Sequence, residues 1–163
     1  MSPASIGLRV PLGVFCTIVR LPDRAAATTS GGSMRSMPLD YNNVNSPYYS
    51  EAERTFAALQ DWTAYGSTTL SVYFQGVWSN KPEDLYVAVV DSAGKTAVVV
   101  NPDPNAALAT KWRQWQIPLS DLTAASINVG KVKKMYIGLG DRNQPAAGGT
   151  GRIYIDDICL IKP

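Results

Sequence analysis

The chain contains no histidine, and its 163 residues include only two cysteines, Cys16 and Cys159. Without histidine there is no Ser-His-Asp triad, no histidine acid–base pair and no histidine-ligated zinc site. Two cysteines so far apart are also too few for a structural zinc site, and we expect Cys159 to be a small buried apolar residue of a strand. Any bound metal would be a hard cation held by oxygen ligands, which points to calcium.

Charged residues are also scarce, at 17% of the chain, and the formal net charge is only +2. The basic residues are scattered, and the nearest approach to a cluster is Lys131, Lys133 and Lys134. Lysines before a strand are typical of a solvated sheet edge, whereas nucleic-acid binding needs a wider basic stripe with aromatic residues in it. We therefore expect no nucleic-acid partner.

Long apolar runs are missing too. The stretch IGLRVPLGVFCTIVRL is interrupted by Arg9, Pro11 and Arg20, which makes it too short and too broken for a transmembrane helix. No basic region precedes it and its cleavage site is unclear, so it is not a clear signal peptide either. Residues 1–27 are thus an atypical N-terminal segment, either one strand or a poorly ordered stretch. We expect no membrane insertion and assign residues 28–163 to one β-sandwich domain.

Beyond that segment, strand signals alternate with turn clusters. In TLSVYFQG the apolar residues Leu70, Val72 and Phe74 occupy every second position, as in a strand with one buried face. Similar signals occur in LYVAVVD, TAVVVN, WRQWQIPL, KMYIGLGD and GRIYIDDICL. Roughly eight strands with almost no helix predict an all-β fold, a two-sheet antiparallel β-sandwich of the jelly-roll kind.

Four local features follow from the same pass along the chain. The alternation in YYSEAERTF predicts a strand that is followed by a loop, LQDWTAYGS. Within this loop we expect Trp62 to plug one end of the sandwich. Pro38 marks its segment as an edge strand, because proline cannot donate to a sheet ladder. Ser120 is expected to cap one short helical turn.

The order of these segments resembles the galactose-binding-like jelly roll, found in many carbohydrate-binding modules of bacterial secreted enzymes and surface proteins. The resemblance covers about residues 28–163. It rests on W-x-x-W-x-I-x-L-S-D, which begins at Trp112, and on the terminal I-x-I-D-D-I, which begins at Ile153. It implies the fold, a polysaccharide or glycan as partner, and an extracellular or cell-surface location. The motifs say little about which glycan is bound.

The resemblance also implies a structural calcium ion. In such modules acidic residues of the opening strand, in a D-D-F-E-like pattern, hold the ion together with an aspartate of the closing strand. The residues that would serve here are Asp156 and Asp157 of the closing strand and Glu53. Residues 1–27 contain a single acid, so the opening acidic strand is missing. The alternative is a structural aspartate whose partners are arginine or backbone N–H groups.

Aromatic and polar side chains are the usual means of holding a sugar. The apolar face of a pyranose stacks on an aromatic ring while its hydroxyl groups bond to polar side chains. Tyr73 and Gln75 share one face of their strand, and we expect Tyr136 to line the same sheet. The predicted ligand contacts are Tyr73, Gln75, Trp78, Trp112, Gln114, Tyr136, Asp141 and Arg142. The alternative for the sheet residues is a partly covered outer face.

Three functions remain open from the sequence. The favoured one is a non-catalytic carbohydrate-binding module that uses aromatic stacking and polar contacts. The second is a structural or adhesion β-sandwich with no small ligand. The third is a small glycan-active enzyme that uses Glu51, Glu53 or Asp141; the lack of histidine counts against it, so we expect no enzyme. Exposure of Trp78 and Tyr73 separates the first two functions. If the N-terminal segment leaves a sheet edge open, a second copy would cover it, which predicts a homodimer.

Overall fold

The computed structural model describes residues 36–162, and in this part of the chain eight strands form two four-stranded antiparallel sheets. The strands are β1 Met37–Asn42, β2 Tyr49–Gln60, β3 Thr69–Gln75, β4 Leu85–Asp91, β5 Thr96–Val100, β6 Arg113–Pro118, β7 Val132–Gly140 and β8 Thr150–Ile161. The first sheet has the order β1-β8-β3-β6 and the second the order β2-β7-β4-β5. The predicted all-β, jelly-roll sandwich is confirmed.

Helices are short in the described residues. The α-helix α1 spans Leu119–Ala124, and single 3₁₀ turns cover Ala64–Gly66, Ala106–Leu108 and Val129–Lys131. None of these helices is long and apolar enough to cross a membrane. The predicted helical turn at Ser120 is confirmed, because Ser120 lies in α1, but Ser120 is not its cap. The chain enters α1 directly from β6, so Pro118 occupies the capping position, where it makes no side-chain bond.

The core lies between the two sheets and follows from the alternation read in the sequence. Leu70, Val72 and Phe74 of β3 are buried, and they belong to the same apolar cluster as Val87 of β4 and Ile137 of β7. Removing a side chain of this kind from water stabilises the fold by about 1.5–3 kcal/mol. The remaining side chains of these strands point away from the core, so each sheet has an outer face.

The ends and edges of the sandwich agree with most of the local predictions. β1, which contains Pro38, is an edge strand of the first sheet. Trp62 is 1% exposed and its backbone N–H donates to the carbonyl of Val129, so it closes the end of the core between β2 and β3. The predicted loop before Trp62 starts too early, since β2 continues to Gln60 with an irregular register after Thr55.

The closing strand β8 contains a bulge that the sequence pattern does not show. Asp157 has a φ of 43°, and the pairing with β3 slips by one residue between the pairs Tyr73–Asp156 and Ser71–Cys159. Such a bulge shifts the alternation by one position, so that Ile155 and Ile158 are both buried in the core. Cys159 is buried as predicted, but it is also disulfide-bonded.

Four loops meet at the end of the sandwich opposite Trp62, and we call this the loop end. Backbone hydrogen bonds tie them together: Asn43 and Gly149 are joined by an N–H···O bond of 2.9 Å, and Gly76 donates to Ala109 over 2.6 Å. The loops are residues 43–48, 76–84, 101–112 and 141–149. The predictions for residues 1–27 lie outside the described residues.

Candidate functional site

The outer face of the first sheet brings together three of the predicted ligand contacts. Tyr73 of β3 lies between Gln114 of β6 and Asp156 of β8. Tyr73 is half-buried, whereas Gln114 is exposed. Gln75, two residues along β3, is half-buried, and its amide donates to the carbonyl of Thr110 over 2.8 Å. Tyr154 of β8 pairs with Gln75 and is also half-buried, so this face presents two tyrosine rings among amide side chains.

Tyr136 does not belong to that face, and the prediction that it lines the same sheet as Tyr73 is wrong. Tyr136 lies on β7 in the second sheet, between Glu53 of β2 and Ala88 of β4. Its neighbours along β7, Met135 and Ile137, point into the core, so Tyr136 points outward on the opposite side of the sandwich. Alternation gives the face of each strand, but only long-range pairing decides which sheet a strand joins.

The outer face of the second sheet carries a cluster of aromatic and charged side chains, which we call the second-sheet face. Its members are Glu51, Glu53, Tyr86, Lys134, Tyr136 and Arg142. The hydroxyl of Tyr86 donates to Oε2 of Glu51 over 2.7 Å, and the Arg142 guanidinium lies over the Tyr136 ring at 4.3 Å from its centroid. Nη2 of Arg142 is 3.7 Å from Oε1 of Glu51. Tyr86, Glu51, Arg142 and Tyr136 of the second-sheet face are thus joined by a series of contacts.

Sequence reasoning missed Tyr86, although a signal was present. In LYVAVVD, Leu85, Val87 and Val89 are core residues, which puts Tyr86 on the other face of β4. Tyr86 is nonetheless only 1% exposed, because its ring lies across β7 at Gly138, where any side chain would collide with it. Burial is the larger cause and the hydrogen bond to Glu51 the smaller cause of a raised pKa of the Tyr86 phenol. The raised pKa keeps the donor proton in place.

Glu53 is the other carboxylate of the second-sheet face. It accepts hydrogen bonds from Thr55 at 2.6 Å and from Nζ of Lys134 at 3.0 Å. These bonds, with a further one from Tyr136, lower the pKa of Glu53 to about 2, and the same ion pair raises the pKa of Lys134. Glu53 is therefore charged throughout the neutral range and cannot serve as a general acid there.

Trp78 stands out at the loop end, because 85% of its surface is exposed. The loop that carries it is nevertheless fixed. Asn80, two residues later, is 5% exposed, and its side chain bonds to the backbone of Ala107 and of Arg152. A side chain in place of Gly76 would collide with the Ala107 carbonyl. The exposed indole is thus presented by a loop that is anchored on both sides.

The remaining predicted contacts also lie at the loop end. Trp112 is half-buried and directly precedes β6. Asp141 is exposed, and its Oδ1 accepts the N–H groups of Asn143 and Gln144 at 2.8 and 2.9 Å, so it shapes the turn after β7. Arg142 leaves that turn and reaches back over the second-sheet face.

The predicted calcium ligands do not come together. Asp156 belongs to the outer face of the first sheet and Glu53 to that of the second, so the core separates them. Asp156 is 9% exposed, and its Oδ1 accepts the N–H of Asp157 at 2.9 Å, an arrangement typical of a structural aspartate. Within residues 36–162 there is no group of three or more histidine, cysteine or acidic residues suited to a metal. The set Asp156, Asp157 and Glu53 therefore does not fit one calcium ion.

Comparison with known proteins places this geometry in a wider group of solved structures. No protein-family model and no curated protein sequence matches the chain. A family 11 carbohydrate-binding module of Clostridium thermocellum, solved in complex with a β-1,3-1,4-mixed-linked tetrasaccharide, is 14% identical with a TM-score of 0.55, over 82% of this chain and 79% of that chain. A family 30 module of a cellulosomal cellulase of the same organism is 16% identical with a TM-score of 0.58, over 92% and 90%.

A longer protein also contains the fold. An exo-β-agarase is 15% identical with a TM-score of 0.60, and the match covers 96% of this chain but only 24% of that chain. The match therefore corresponds to about a quarter of the agarase. At these identities the likeness concerns the fold, and it confirms the resemblance read from the order of the segments and their two motifs. The chain therefore has the jelly-roll β-sandwich fold that carbohydrate-binding modules of families 11 and 30 share.

Proposed function

We propose that the protein is a non-catalytic carbohydrate-binding module and that Trp78 is its principal aromatic contact with a glycan. The observation that carries this proposal is the 85% exposure of Trp78 on an anchored loop. An exposed indole leaves a large apolar surface in water, and the C–H face of a pyranose can cover it. The anchoring by Asn80 means that little loop entropy is lost on binding.

The fold and the carboxylates support the same proposal. Solved structures of this fold include a module bound to a mixed-linked tetrasaccharide. A glycosidase needs one carboxylic acid that is protonated at working pH, whereas Glu53 has a pKa of about 2. Glu51 is already engaged by Tyr86 and Arg142. Asp141, the third acid named for a catalytic role, accepts the N–H groups of Asn143 and Gln144. Binding without catalysis is therefore the better proposal.

An extracellular or cell-surface location belongs to this proposal. Disulfides persist mainly in oxidising compartments, and Cys159 is disulfide-bonded. Polysaccharides that are too large to enter a cell contact proteins outside it, which agrees with that location. Cell fractionation of the natural producer tests it: recovery in the cytoplasm would contradict the location and leave the binding experiment unaffected.

The binding proposal is tested by affinity electrophoresis on gels that contain mixed-linkage β-glucan, cellulose derivatives, agarose or xylan. We expect the wild-type protein to be retarded on at least one gel and Trp78→Ala to lose at least about tenfold in affinity, which corresponds to about 1.4 kcal/mol. Tyr65→Ala is the matched control, because Tyr65 is 75% exposed but lies at the opposite end of the sandwich. The proposal is overturned if no gel changes the mobility of the wild-type protein. It is also overturned if Trp78→Ala is retarded as strongly as wild type.

The structural or adhesion role is the second candidate, and one observation favours it. The rings of Tyr86 and Tyr136 are only 1% and 9% exposed, so neither of them is a bare aromatic platform. Absence of retardation on all gels would support this role. Homodimerisation and calcium binding stay predictions: gel filtration showing a monomer would contradict the first, and a melting temperature unaffected by a chelator would contradict the second.

A further inference from the structure

The second-sheet face is built in layers, and its outermost layer is Arg142. Beneath it lies the Tyr136 ring, which clusters with Tyr86. Both rings are nearly inaccessible, while 24% of the Arg142 side chain remains exposed. Nη2 approaches Glu51 only to 3.7 Å, which is too long for a hydrogen bond. Nη1 is buried and also makes no hydrogen bond within residues 36–162, so the exposed part of the side chain consists of its other atoms. The guanidinium is therefore held in place while much of its donor capacity is unused.

From this arrangement we infer that Arg142 is a glycan-contacting residue and that Glu51 and Tyr86 are its positioning residues. A guanidinium has five N–H donors in a rigid plane. Nη1 is buried, which leaves the three donors on Nη2 and Nε for adjacent hydroxyl groups of a sugar. Its position over the Tyr136 ring, with Cζ 4.3 Å from the ring centroid, limits the directions in which those donors point. The inference rests on the proposed function and extends the site from Trp78 to the second-sheet face.

The positioning runs through a short series of contacts. Gly138 leaves room for the Tyr86 ring, and the Tyr86 hydroxyl holds Oε2 of Glu51. The other carboxylate oxygen, Oε1, is thereby turned toward Arg142. Removing the Tyr86 hydroxyl frees Glu51 to rotate, and Arg142 then loses the charge that fixes it. The affinity for the glycan should fall even though Tyr86 cannot touch the ligand.

A double-mutant cycle tests this coupling on a polysaccharide that the wild-type protein binds. We expect Arg142→Ala to lower the affinity about fivefold or more. Arg142→Lys should not reach the wild-type affinity either, because lysine lacks the planar guanidinium fork. Tyr86→Phe should lower the affinity two- to fivefold in the wild-type background and have no further effect in Arg142→Ala. Arg152→Ala is the control, since that arginine pairs with Asp40 on the other sheet. Melting temperatures check that each variant is folded.

The outcomes separate the two levels of the proposal. If wild type binds and Trp78→Ala is impaired, but Arg142→Ala binds like wild type, the inference is overturned while the proposed function stands. Fully additive effects of Tyr86→Phe and Arg142→Ala overturn the positioning role of Tyr86. If the wild-type protein binds no polysaccharide, the proposed function itself fails. A coupled loss, with Arg152→Ala unchanged, supports the inference.

Discussion

The side-chain amide of Asn80 pairs with the backbone of Arg152 in the way that a neighbouring strand would. Its Nδ2 donates to the Arg152 carbonyl over 2.7 Å, and its Oδ1 accepts the Arg152 N–H over 2.9 Å. Nδ2 also donates to the carbonyl of Ala107 over 2.6 Å. Asn80 thereby fastens the Trp78 loop to β8 and to the 3₁₀ turn at residues 106–108, so that the stability of the loop end and the presentation of Trp78 depend on the same side chain.

We expect Asn80→Ala to lower the free energy of unfolding by about 2–4 kcal/mol, because the three bonds are lost and buried backbone groups remain unpaired. Urea denaturation measures this change. Asn105→Ala is the control, since Asn105 is exposed in the neighbouring loop. Affinity for the glycan should fall as well, because Trp78 is then carried by a looser loop. A loss of stability below about 0.5 kcal/mol would show that the amide does not anchor the loop.

The two tryptophans Trp62 and Trp78 provide a matched pair for the core. Trp62 is 1% exposed and Trp78 is 85% exposed. Trp62→Ala should destabilise the domain by about 3–5 kcal/mol, because it removes a large buried side chain and leaves a cavity. Trp78→Ala should change stability by no more than about 0.5 kcal/mol. Denaturation midpoints in urea check the pair, and equal midpoints for the two variants would contradict the assignment of Trp62 to the core.

Much of the fold follows from periodicity, which is a local property of the chain. Alternating apolar residues predict β3, and the apolar isoleucines Ile153 and Ile155 predict the start of β8; both are buried in the structure. The exposed Trp78 also follows from its position between two strand signals. These predictions need only the pleat of a strand and the turn chemistry beside it.

The site required information that periodicity does not contain. Tyr73 and Tyr136 each lie on the outward side of a strand, but β3 and β7 join different sheets, and the assignment depends on contacts between residues far apart in sequence. The bulge at Asp157 is a second case, because one inserted position changes which side chains of β8 face the core. The predicted calcium ligands do not come together because of long-range pairing as well, since Glu53 and Asp156 lie on opposite sheets.

The pH dependence of stability offers a test of the Glu53 ion pair. Hydrogen bonds from Thr55, Lys134 and Tyr136 lower the pKa of Glu53 from 4.5 to about 2. A pKa that is lower in the folded state contributes stability above pH 4.5, and that contribution is lost as the pH falls toward about 2. The contribution is at most about 1 kcal/mol, because 44% of the side chain is exposed and solvent screens the charges.

We therefore expect Glu53→Gln to be less stable than wild type at pH 7, with the difference shrinking below pH 4.5 and vanishing near pH 2. Urea denaturation at several pH values and low ionic strength measures it. Raising the salt to about 1 M should reduce the difference at pH 7, because screening weakens the pair with Lys134. Asp84→Asn, which removes an exposed acid elsewhere, controls for the change in net charge. A difference that stays constant from pH 7 to pH 2 would mean that the glutamine alters packing and that the ion pair contributes nothing to stability.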